Sequence, residues 1–382
     1  MTTLTATEAA QRLGIKPTSL YVYVSRGMLR SEPGPGRSRR YRVDDVDRLI
    51  ARREGAEGAL DFGAPVLDSA LTRIAEGRLF YRGKDALDLA RSASLEDVAR
   101  LLWQAPPAAF AASNRPALNA LPKLSGDTPA RLQALLALAG AGDDGAQSQD
   151  VAARTAAAVR VLRLVAVVLT SRRPGAHPCH DLLRQTWKLK ADAADIVRAA
   201  LVLCADHELN ASSFVARCVA STGASLYGAV SAGLAALLGP RHGGATRRVA
   251  AWFREVDENE DAARAVGERA RRGDGFPGIG HPLYPDGDPR ARFLLEALAG
   301  AYPRSALRRQ SATVADAVAA ATGLKPNLDF ALVTVARVLG LPADAPLTIF
   351  IFGRTVGWLA HALEQQARGG LIRPRARYVG PL

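Results

Sequence analysis

The chain has 382 residues, of which 48% are hydrophobic and 23% charged, an ordinary balance for a soluble globular protein larger than one average domain. Its most apolar stretch, 161–170, is short and is interrupted by Arg163, so the sequence predicts no membrane span. The net charge of +13 favours an anionic partner and leaves nucleic acid, nucleotide phosphates and carboxylate substrates open.

The cysteines and the N-terminus bear on the compartment. Three cysteines (Cys179, Cys204 and Cys218) are an odd number without a pairing pattern, and the N-terminus lacks a charged-then-apolar signal pattern. We therefore expect a cytoplasmic protein kept in a reducing compartment. The HPCH sequence at 177–180 lacks partner ligands, so a loop or core role is favoured there over a metal site.

The first fifty residues predict a small module of their own. Thr5 and Glu8 have the spacing of a capping box that opens a helix, and Gly14 is placed to end it. Pro17 suits the first turn of a second helix, so the two helices predict a helix-turn-helix. The basic segment GRSRRYRV at 36–43 predicts a strand between glycine and proline, as in a wing.

This module resembles the MerR-like and excisionase-like winged helices, which implies that residues 1–53 bind double-stranded DNA as paired copies. Residues 1–55 hold eleven Lys/Arg against six Asp/Glu. A second helix in the major groove and a wing on the backbone would contact DNA through Thr18, Ser19, Tyr21, Tyr23, Arg37, Arg39 and Arg40. The alternative is a protein–protein or dimerisation adaptor whose arginines are only solvated. Residues 54–66, rich in glycine and small residues, are predicted to be a linker.

Short polar motifs hold three of the six histidines. His207 stands in HELNAS, His242 in GPRHGG and His281 in GIGHPLYPDGDPRA. Asp329 follows in KPNLDF. Glycines beside His242 and His281 suit a backbone that turns sharply or approaches a ligand closely. Imidazoles combined with a carboxylate indicate carbon-acid chemistry.

From Leu67 to the C-terminus the chain resembles citrate synthase of the type II-like group. The motifs above lie in family order between TRIAEGRLFYRGKDALDLARSASLEDVARLL at 72–102 and a final stretch at 352–380 that contains FGRTVGW and IRPRARYVG. Helical spacing and an Ala-, Leu-, Arg- and Val-rich composition also favour a mostly α protein. The resemblance implies an all-α citrate synthase fold behind the winged module. Its large domain would span 67–220 plus 324–382, and its small domain 221–323.

The resemblance also implies the condensation of acetyl-CoA with oxaloacetate. In that chemistry Asp329 would be the base, His242 the donor that stabilises the enol, and His281 the group that polarises the ketone. Ser212 would support the His242 ring. Acetyl-CoA is a substrate, and neither a cofactor nor a metal is implied. From the residues alone, Asp329 remains open as a helix N-cap because it follows Pro326 and Asn327.

Oxaloacetate is a dianion, and matching motifs imply that His207, Arg290, Arg354 and Arg373 bind it. In the family the last arginine reaches into the neighbouring subunit, so Arg373 implies a homodimer. Salt bridges for the arginines and a structural role for His207 remain the alternatives. His361, in a helical run, is expected to pack in the core or at an interface.

The sequence departs from the family where CoA would bind. Pro285 stands where relatives carry a basic residue, and Arg271 and Arg272 are the candidates to replace it. These departures leave the acyl group open between acetyl-CoA and propionyl-CoA, the substrate of a 2-methylcitrate synthase. A rival hypothesis is a transcriptional regulator whose synthase-like body senses oxaloacetate, citrate or CoA without turnover.

Overall fold

The computed structural model describes residues 3–13, 15, 20, 24, 29–35, 38–43, 45–46, 67–110, 122, 124–172, 178–240, 242–259, 261–374 and 380. The chain divides into two compact units, Met1–Asp68 and Ser69–Leu382. The division falls close to the end of the predicted linker.

The first unit combines a three-stranded antiparallel sheet with a short helix. Its described elements are β1 (Thr3–Thr5), α1 (Ala6–Arg12), β2 (Ser31–Pro33) and β3 (Arg39–Arg42). The sheet order is β1-β3-β2. The predicted capping box is confirmed, because the Thr5 hydroxyl accepts the Glu8 N–H and the Glu8 carboxylate accepts the Thr5 N–H at 2.8 Å.

A small apolar core holds the first unit together. Ala9, Ala10 and Leu13 are buried in it, as the helical pattern predicts, and Tyr41 joins them from β3. Of the residues predicted to contact DNA, two lie on β3: Arg39, which is exposed, and Arg40, which is half-buried. The others lie outside the described residues, namely Thr18, Ser19, Tyr21, Tyr23 and Arg37.

The second unit opens with a small antiparallel sheet and continues as helices. The sheet has the order β4-β5-β6, with β4 (Thr72–Ala75), β5 (Arg78–Tyr81) and β6 (Lys84–Asp85). The helices before residue 240 are α2 (Ala86–Ser92), α3 (Leu95–Trp103), a 3-10 turn (Pro107–Phe110), α4 (Thr128–Ala141), α5 (Val151–Thr170), α6 (Cys179–Thr186), α7 (Ala191–Cys204), α8 (Ala211–Ser221) and α9 (Leu226–Leu237). The later helices are α10 (Gly244–Asp257), α11 (Ala262–Arg271), α12 (Pro289–Ala301), α13 (Ala306–Thr322), α14 (Leu328–Leu339) and α15 (Ala345–Arg368).

Polar side chains fix the start of most of these helices. At each such start a side-chain oxygen accepts a first-turn N–H that has no partner inside the helix. The caps nearest the predicted site are Asn210 on α8, Asp288 on α12 and Asn327 on α14. Because Asn327 is the N-cap, the alternative of Asp329 as the capping residue is wrong.

The apolar residues of the second unit form two core clusters. The larger draws on β5, on α2 to α9, on α12 and on α15. The smaller draws on α10, α11 and α13, with Phe330 and Val333 of α14. α14 belongs to both clusters, because Leu328, Ala331, Leu332 and Val335 pack in the larger one. The predicted small domain at 221–323 stays a prediction, although α9 and α12 inside that range pack in the larger cluster.

Helix α15 runs through the larger cluster and is buried along most of its length. Two of its glycines touch the end of α7 and the residues that follow it. A Cβ at Gly353 would lie 2.5 Å from the carbonyl oxygen of Leu201, and one at Gly357 would lie 2.5 Å from Asp206 Oδ1. Only glycine permits this approach, which places the backbone of α15 directly against the segment that leads into His207.

None of the helices in the described residues is both long and apolar enough to cross a membrane. All three cysteines are among the described residues and are free thiols, with Cys179 and Cys204 buried and Cys218 half-buried. Burial raises the pKa of the Cys179 thiol, and the nearby Glu96 carboxylate raises it further, so this thiol stays protonated at neutral pH.

Candidate functional site

The His207 segment joins α7 to α8 and is held by the two carboxylates that flank the histidine. Thr72 Oγ1 donates to Asp206 Oδ2 at 2.5 Å, and the Ile74 N–H donates to Glu208 Oε1 at 2.8 Å. Glu208 has a φ of +50°, a left-handed conformation that turns the chain between these two anchors. The segment is therefore fixed to β4 on both sides of His207.

His207 lies among other ring systems of the predicted site. Its ring centroid is 5.1 Å from that of His281, and its Nε2 is 3.0 Å from the Tyr284 hydroxyl. The side chain is 7% exposed. Burial lowers the pKa of His207 well below its ordinary value, and the Arg290 charge lowers it further, so the imidazole is neutral at neutral pH.

His281 occupies a turn in which its tautomer is defined. The Leu283 N–H donates to His281 Nδ1 at 3.2 Å, so the proton of the neutral ring sits on Nε2. Burial lowers the pKa of His281 to about 4, with a further contribution from the Arg290 charge. At neutral pH this imidazole is thus an uncharged donor through Nε2.

His242 sits in the tight turn before α10. A Cβ at the next residue, Gly243, would lie 2.7 Å from the Leu237 carbonyl oxygen, which explains the glycine. Ser212 Oγ lies 2.8 Å from His242 Nε2. The rings of His242 and Phe350 are nearly perpendicular, with centroids 6.1 Å apart. Burial lowers the pKa of His242 to about 4, with the Arg354 charge acting in the same direction, so this ring is also neutral.

Asp329 lies in the first turn of α14, next to the His281 turn. The two segments are joined because the Gly280 N–H donates to the Lys325 carbonyl and the Asn327 N–H donates to the Gly278 carbonyl, each at 2.8 Å. Asp329 Oδ1 is buried and has no hydrogen-bond partner among the described residues. Burial raises the pKa of Asp329 to about 6, against the opposing charge of Arg290.

Arg290 is buried and paired within its own turn. Its Nε and a terminal nitrogen donate to the two oxygens of Asp288 at 3.0 and 2.8 Å, and Asp288 also accepts the Leu328 N–H at 3.1 Å. Burial acts against the positive charge, but the Asp288 carboxylate outweighs burial and raises the pKa of Arg290. The pair links α12 to the start of α14, so a fixed cation stands beside the Asp329 segment.

Arg354 is a buried cation with no carboxylate partner among the described residues. It is 1% exposed, its Nε donates to the Cys204 carbonyl at 2.8 Å, and its guanidinium lies 4.9 Å from the Phe350 ring centroid. Burial lowers its pKa against the opposing charge of Asp206. A buried guanidinium that no carboxylate contacts directly is costly, so this position favours an anionic ligand.

These contacts join most of the predicted site residues into one network within the second unit. Tyr284 touches three of them, because its hydroxyl meets His207, its ring packs on His281 at 4.9 Å, and Arg290 lies 5.6 Å over that ring. Ser212, His242, Phe350 and Arg354 form a second chain of contacts. The charges of Arg290 and Arg354 both act on Asp329, and this electrostatic coupling ties the two chains together.

Three predicted residues lie apart from this network. Arg373 is exposed and hydrogen-bonds no other described residue of its own chain through its side chain. Arg271 is exposed at the end of α11. Arg272 is exposed and already pairs with Asp274 at 2.9 Å and with Glu255 at 3.8 Å.

Tyr284 and Phe350 belong to the network but were not predicted from the sequence. Tyr284 follows His281 by three residues inside a quoted motif, so a turn would bring it back towards that ring. Phe350 precedes Arg354 by four residues on α15, the spacing at which helix side chains meet. His361 is buried in α15, where its Nε2 lies 3.2 Å from Asp206 Oδ1, so the expected packing role is accompanied by a polar contact.

The described residues include no group of three or more histidine, cysteine, aspartate or glutamate side chains arranged to hold a metal ion. The polar groups of the network are instead neutral imidazoles, one carboxylate of raised pKa and buried guanidinium groups. This set suits proton transfer at carbon and the binding of a small polycarboxylate.

Comparison with known proteins matches both units. The family model described as citrate synthase, C-terminal domain, matches residues 60–375, and a helix-turn-helix domain model matches residues 3–54. Citrate synthase 2 of Bacillus subtilis (strain 168) is 31% identical over 359 residues, which cover 84% of this chain and 95% of that protein. 2-Methylcitrate synthase 1 of Corynebacterium glutamicum is 35% identical over 196 residues, or 50% of this chain and 51% of that protein. The crystal structure of citrate synthase from Thermotoga maritima MSB8 superposes with a TM-score of 0.71 at 25% identity, covering 84% of this chain and 95% of that one.

Proposed function

Because the chain belongs to the citrate synthase family, we propose that it condenses acetyl-CoA with oxaloacetate and hydrolyses the product to citrate and CoA. The observation that carries this proposal is the Asp329 carboxylate, whose buried Oδ1 has no partner among the described residues and whose pKa is raised to about 6. A base of that kind, combined with neutral imidazole donors, is what removal of a weakly acidic methyl proton requires.

Oxaloacetate would bind first through the buried cations. Arg354 lacks a carboxylate partner among the described residues, and Arg290 keeps one terminal nitrogen that Asp288 does not engage. We assign the two substrate carboxylates to these guanidinium groups, to His207 and to Arg373 of a second subunit. Substrate charge would then offset the cost of burying Arg354, which favours oxaloacetate binding.

The first chemical step would form the enol of acetyl-CoA. Asp329 takes a proton from the methyl carbon, the electron pair of that bond moves towards the thioester, and a ring N–H of His242 stabilises the thioester oxygen. The Ser212 hydroxyl donates to Asn210 Oδ1 at 2.8 Å, and its oxygen lies 2.8 Å from His242 Nε2, so this contact holds the His242 ring in place.

The second step would form the carbon–carbon bond. The enol carbon attacks the ketone carbon of oxaloacetate, and the ketone oxygen takes a proton from Nε2 of His281, the nitrogen that carries the proton in the assigned tautomer. Water then cleaves the thioester, which releases CoA and citrate.

Release of the CoA thiol from the purified full-length chain tests the proposal. We expect release from acetyl-CoA only when oxaloacetate is present, and a loss of about 10²–10⁴-fold in Asp329→Asn and in His242→Ala. The matched control is Asp316→Asn, which changes an exposed aspartate on α13 and should leave the rate unchanged. Folded protein that releases no thiol from any acyl-CoA tested would contradict the proposal.

The acyl group is the next point to resolve. A pocket separates substrates that differ by one methylene by about 1–3 kcal/mol, and the 35% identical relative named above is a 2-methylcitrate synthase. Parallel assays with acetyl-CoA and propionyl-CoA would decide between the two activities. For the CoA phosphates Arg271 is the better candidate, because Glu255 and Asp274 already engage Arg272.

DNA binding by the first unit is a second candidate function. It is supported by the helix-turn-helix family model over residues 3–54 and by Arg39 and Arg40 on β3. We expect the full-length chain to retard DNA from upstream of its own coding sequence, with a steep loss of affinity as salt rises. Replacing both arginines by alanine should weaken binding and reduce the salt dependence. Absence of retardation at low salt would contradict this candidate, and an oxaloacetate-dependent change would favour the regulator hypothesis.

A further inference from the structure

The turn at 281–284 supplies hydrogen-bond donors to two imidazoles. The Leu283 backbone N–H donates to His281 Nδ1, and the next residue, Tyr284, places its hydroxyl 3.0 Å from His207 Nε2. Tyr284 is 2% exposed, and its ring also meets His281 and the Arg290 guanidinium. One short segment therefore touches three of the groups to which oxaloacetate binding is assigned.

In the contact between Tyr284 and His207, the tyrosine hydroxyl is the donor and His207 Nε2 is the acceptor. A buried tyrosine hydroxyl needs an acceptor, and His207 Nε2 is the partner of this hydroxyl within the described part of the chain. If Nε2 instead carried a proton, it would donate to the tyrosine oxygen and leave the tyrosine proton without an acceptor. Burial raises the pKa of Tyr284 and lowers that of His207, so the hydroxyl keeps its proton and the ring stays neutral.

We propose that Tyr284 is a positioning residue that holds His207 in the tautomer with its proton on Nδ1. Nδ1 then faces oxaloacetate as a donor, whereas the other tautomer would present a lone pair to an anionic oxygen. His281 is held in the opposite tautomer by Leu283, so the same turn prepares two imidazoles for different oxygens. The assignment of His207 to oxaloacetate rests on the proposed function, but the assignment of its tautomer does not.

Tyr284→Phe is the test variant, because it removes the hydroxyl and keeps the ring against His281 and Arg290. In full-length protein labelled with ¹⁵N-histidine, two-bond ¹H–¹⁵N spectra distinguish the neutral tautomers, and His207→Gln identifies the His207 signals. We expect Nδ1–H in the parent and a shift towards Nε2–H in Tyr284→Phe. The Kd and KM for oxaloacetate should rise about tenfold, with kcat changed much less.

Tyr227→Phe is the matched control. Tyr227 is equally buried, but its hydroxyl donates to Asp143 at 2.8 Å, so its loss should cost stability without moving the His207 tautomer or oxaloacetate affinity. The inference is overturned if the parent His207 carries its proton on Nε2, or if Tyr284→Phe leaves both the tautomer and the affinity unchanged. If the parent shows Nδ1–H but does not bind oxaloacetate, the proposed function fails and the tautomer assignment stands.

Discussion

At the scale of single residues, Asp329 combines the two properties that a carbon-acid base needs. Its Oδ1 is buried without a partner among the described residues, and burial raises its pKa to about 6. At neutral pH the group is mostly ionised, yet it binds a proton more strongly than an exposed aspartate. The histidines His242 and His281, with pKa values of about 4, do not titrate in the same range.

Because the pKa of Asp329 lies well above those of His242 and His281, a plot of kcat/KM against pH should show one acidic limb. kcat/KM should rise through pH 6 as Asp329 ionises and then level off, because the two histidines are already neutral there. Initial rates of thiol release between pH 5 and pH 8 would measure it. A limb that stays in place when Asp329 is replaced by glutamate, or a second limb near pH 7, would assign the titration to another group.

The same burial predicts that Asp329 destabilises the folded chain at neutral pH. Because the folded-state pKa of about 6 lies above the ordinary value of 3.8, the folded chain binds this proton more tightly, and stability falls as pH rises between those values. Asp329→Asn removes the effect and should raise the free energy of unfolding at pH 7.5 by up to about 3 kcal/mol. Denaturant unfolding at pH 7.5 and pH 4 would show this gain shrinking at the lower pH. An equal gain or loss at both values would contradict it.

At the scale of secondary-structure elements, the contact between α15 and the end of α7 holds the site together. Gly353 and Gly357 lie one on each side of Arg354 in sequence, and both face backbone atoms of the α7 end or the residues after it. The close approach lets Arg354 reach the Cys204 carbonyl and brings the helix against Asp206, the residue before His207. Two groups assigned to oxaloacetate thus depend on one helix contact.

Gly357→Ala should disrupt this contact. The new Cβ would overlap the Ala205 carbonyl oxygen and lie 2.5 Å from Asp206 Oδ1, so the His207 segment must move. Overpacking of this kind costs about 1–3 kcal/mol. We expect a lower unfolding midpoint together with weaker oxaloacetate binding, measured by thermal unfolding and calorimetry.

Gly300→Ala is the control for that experiment. Gly300 lies in the last turns of α12, where an added Cβ has no atom within 4 Å. Alanine there should be neutral or stabilising by up to about 1 kcal/mol. If Gly357→Ala behaved like Gly300→Ala, the tight contact between α15 and the α7 end would not be what positions His207.

The sequence predicts elements and motif residues well where the determinant is local. The capping box of Thr5 and Glu8 follows from spacing alone. The expectation that His207 and His281 serve one site came from the family resemblance, and the structure places their rings 5.1 Å apart. Tyr284 was not predicted, because its contact with His207 depends on a turn that brings one motif against another. For Arg290 a salt bridge was the alternative, but its partner Asp288 was not named. Asn327 as the N-cap in place of Asp329 required backbone angles that no residue pattern specifies.

At the scale of the whole molecule, the two units carry different chemistry on one chain. The first unit holds a basic strand, and the second holds buried cations with a carboxylate of raised pKa.

Arg373 stands apart from the rest of the site, since its side chain is exposed and hydrogen-bonds no other described residue of its own chain. The neighbouring Ile372 N–H donates to Ser221 Oγ at 3.1 Å and anchors this segment at the end of α8. An exposed arginine that pairs with no described residue of its own chain suits a role in the site of a second copy.

Subunit mixing tests whether Arg373 acts across a dimer interface. Arg373→Ala and Asp329→Asn should each be inactive alone, but a mixed dimer would hold one site with Asp329 from one chain and Arg373 from the other. Random reassociation of equal amounts should therefore restore about a quarter of the parental rate of thiol release. The control pair is His281→Gln with Asp329→Asn, two residues of the same chain's contact network, which should restore nothing. Recovery in neither pair, although mixed dimers form, would mean that Arg373 serves the site of its own chain.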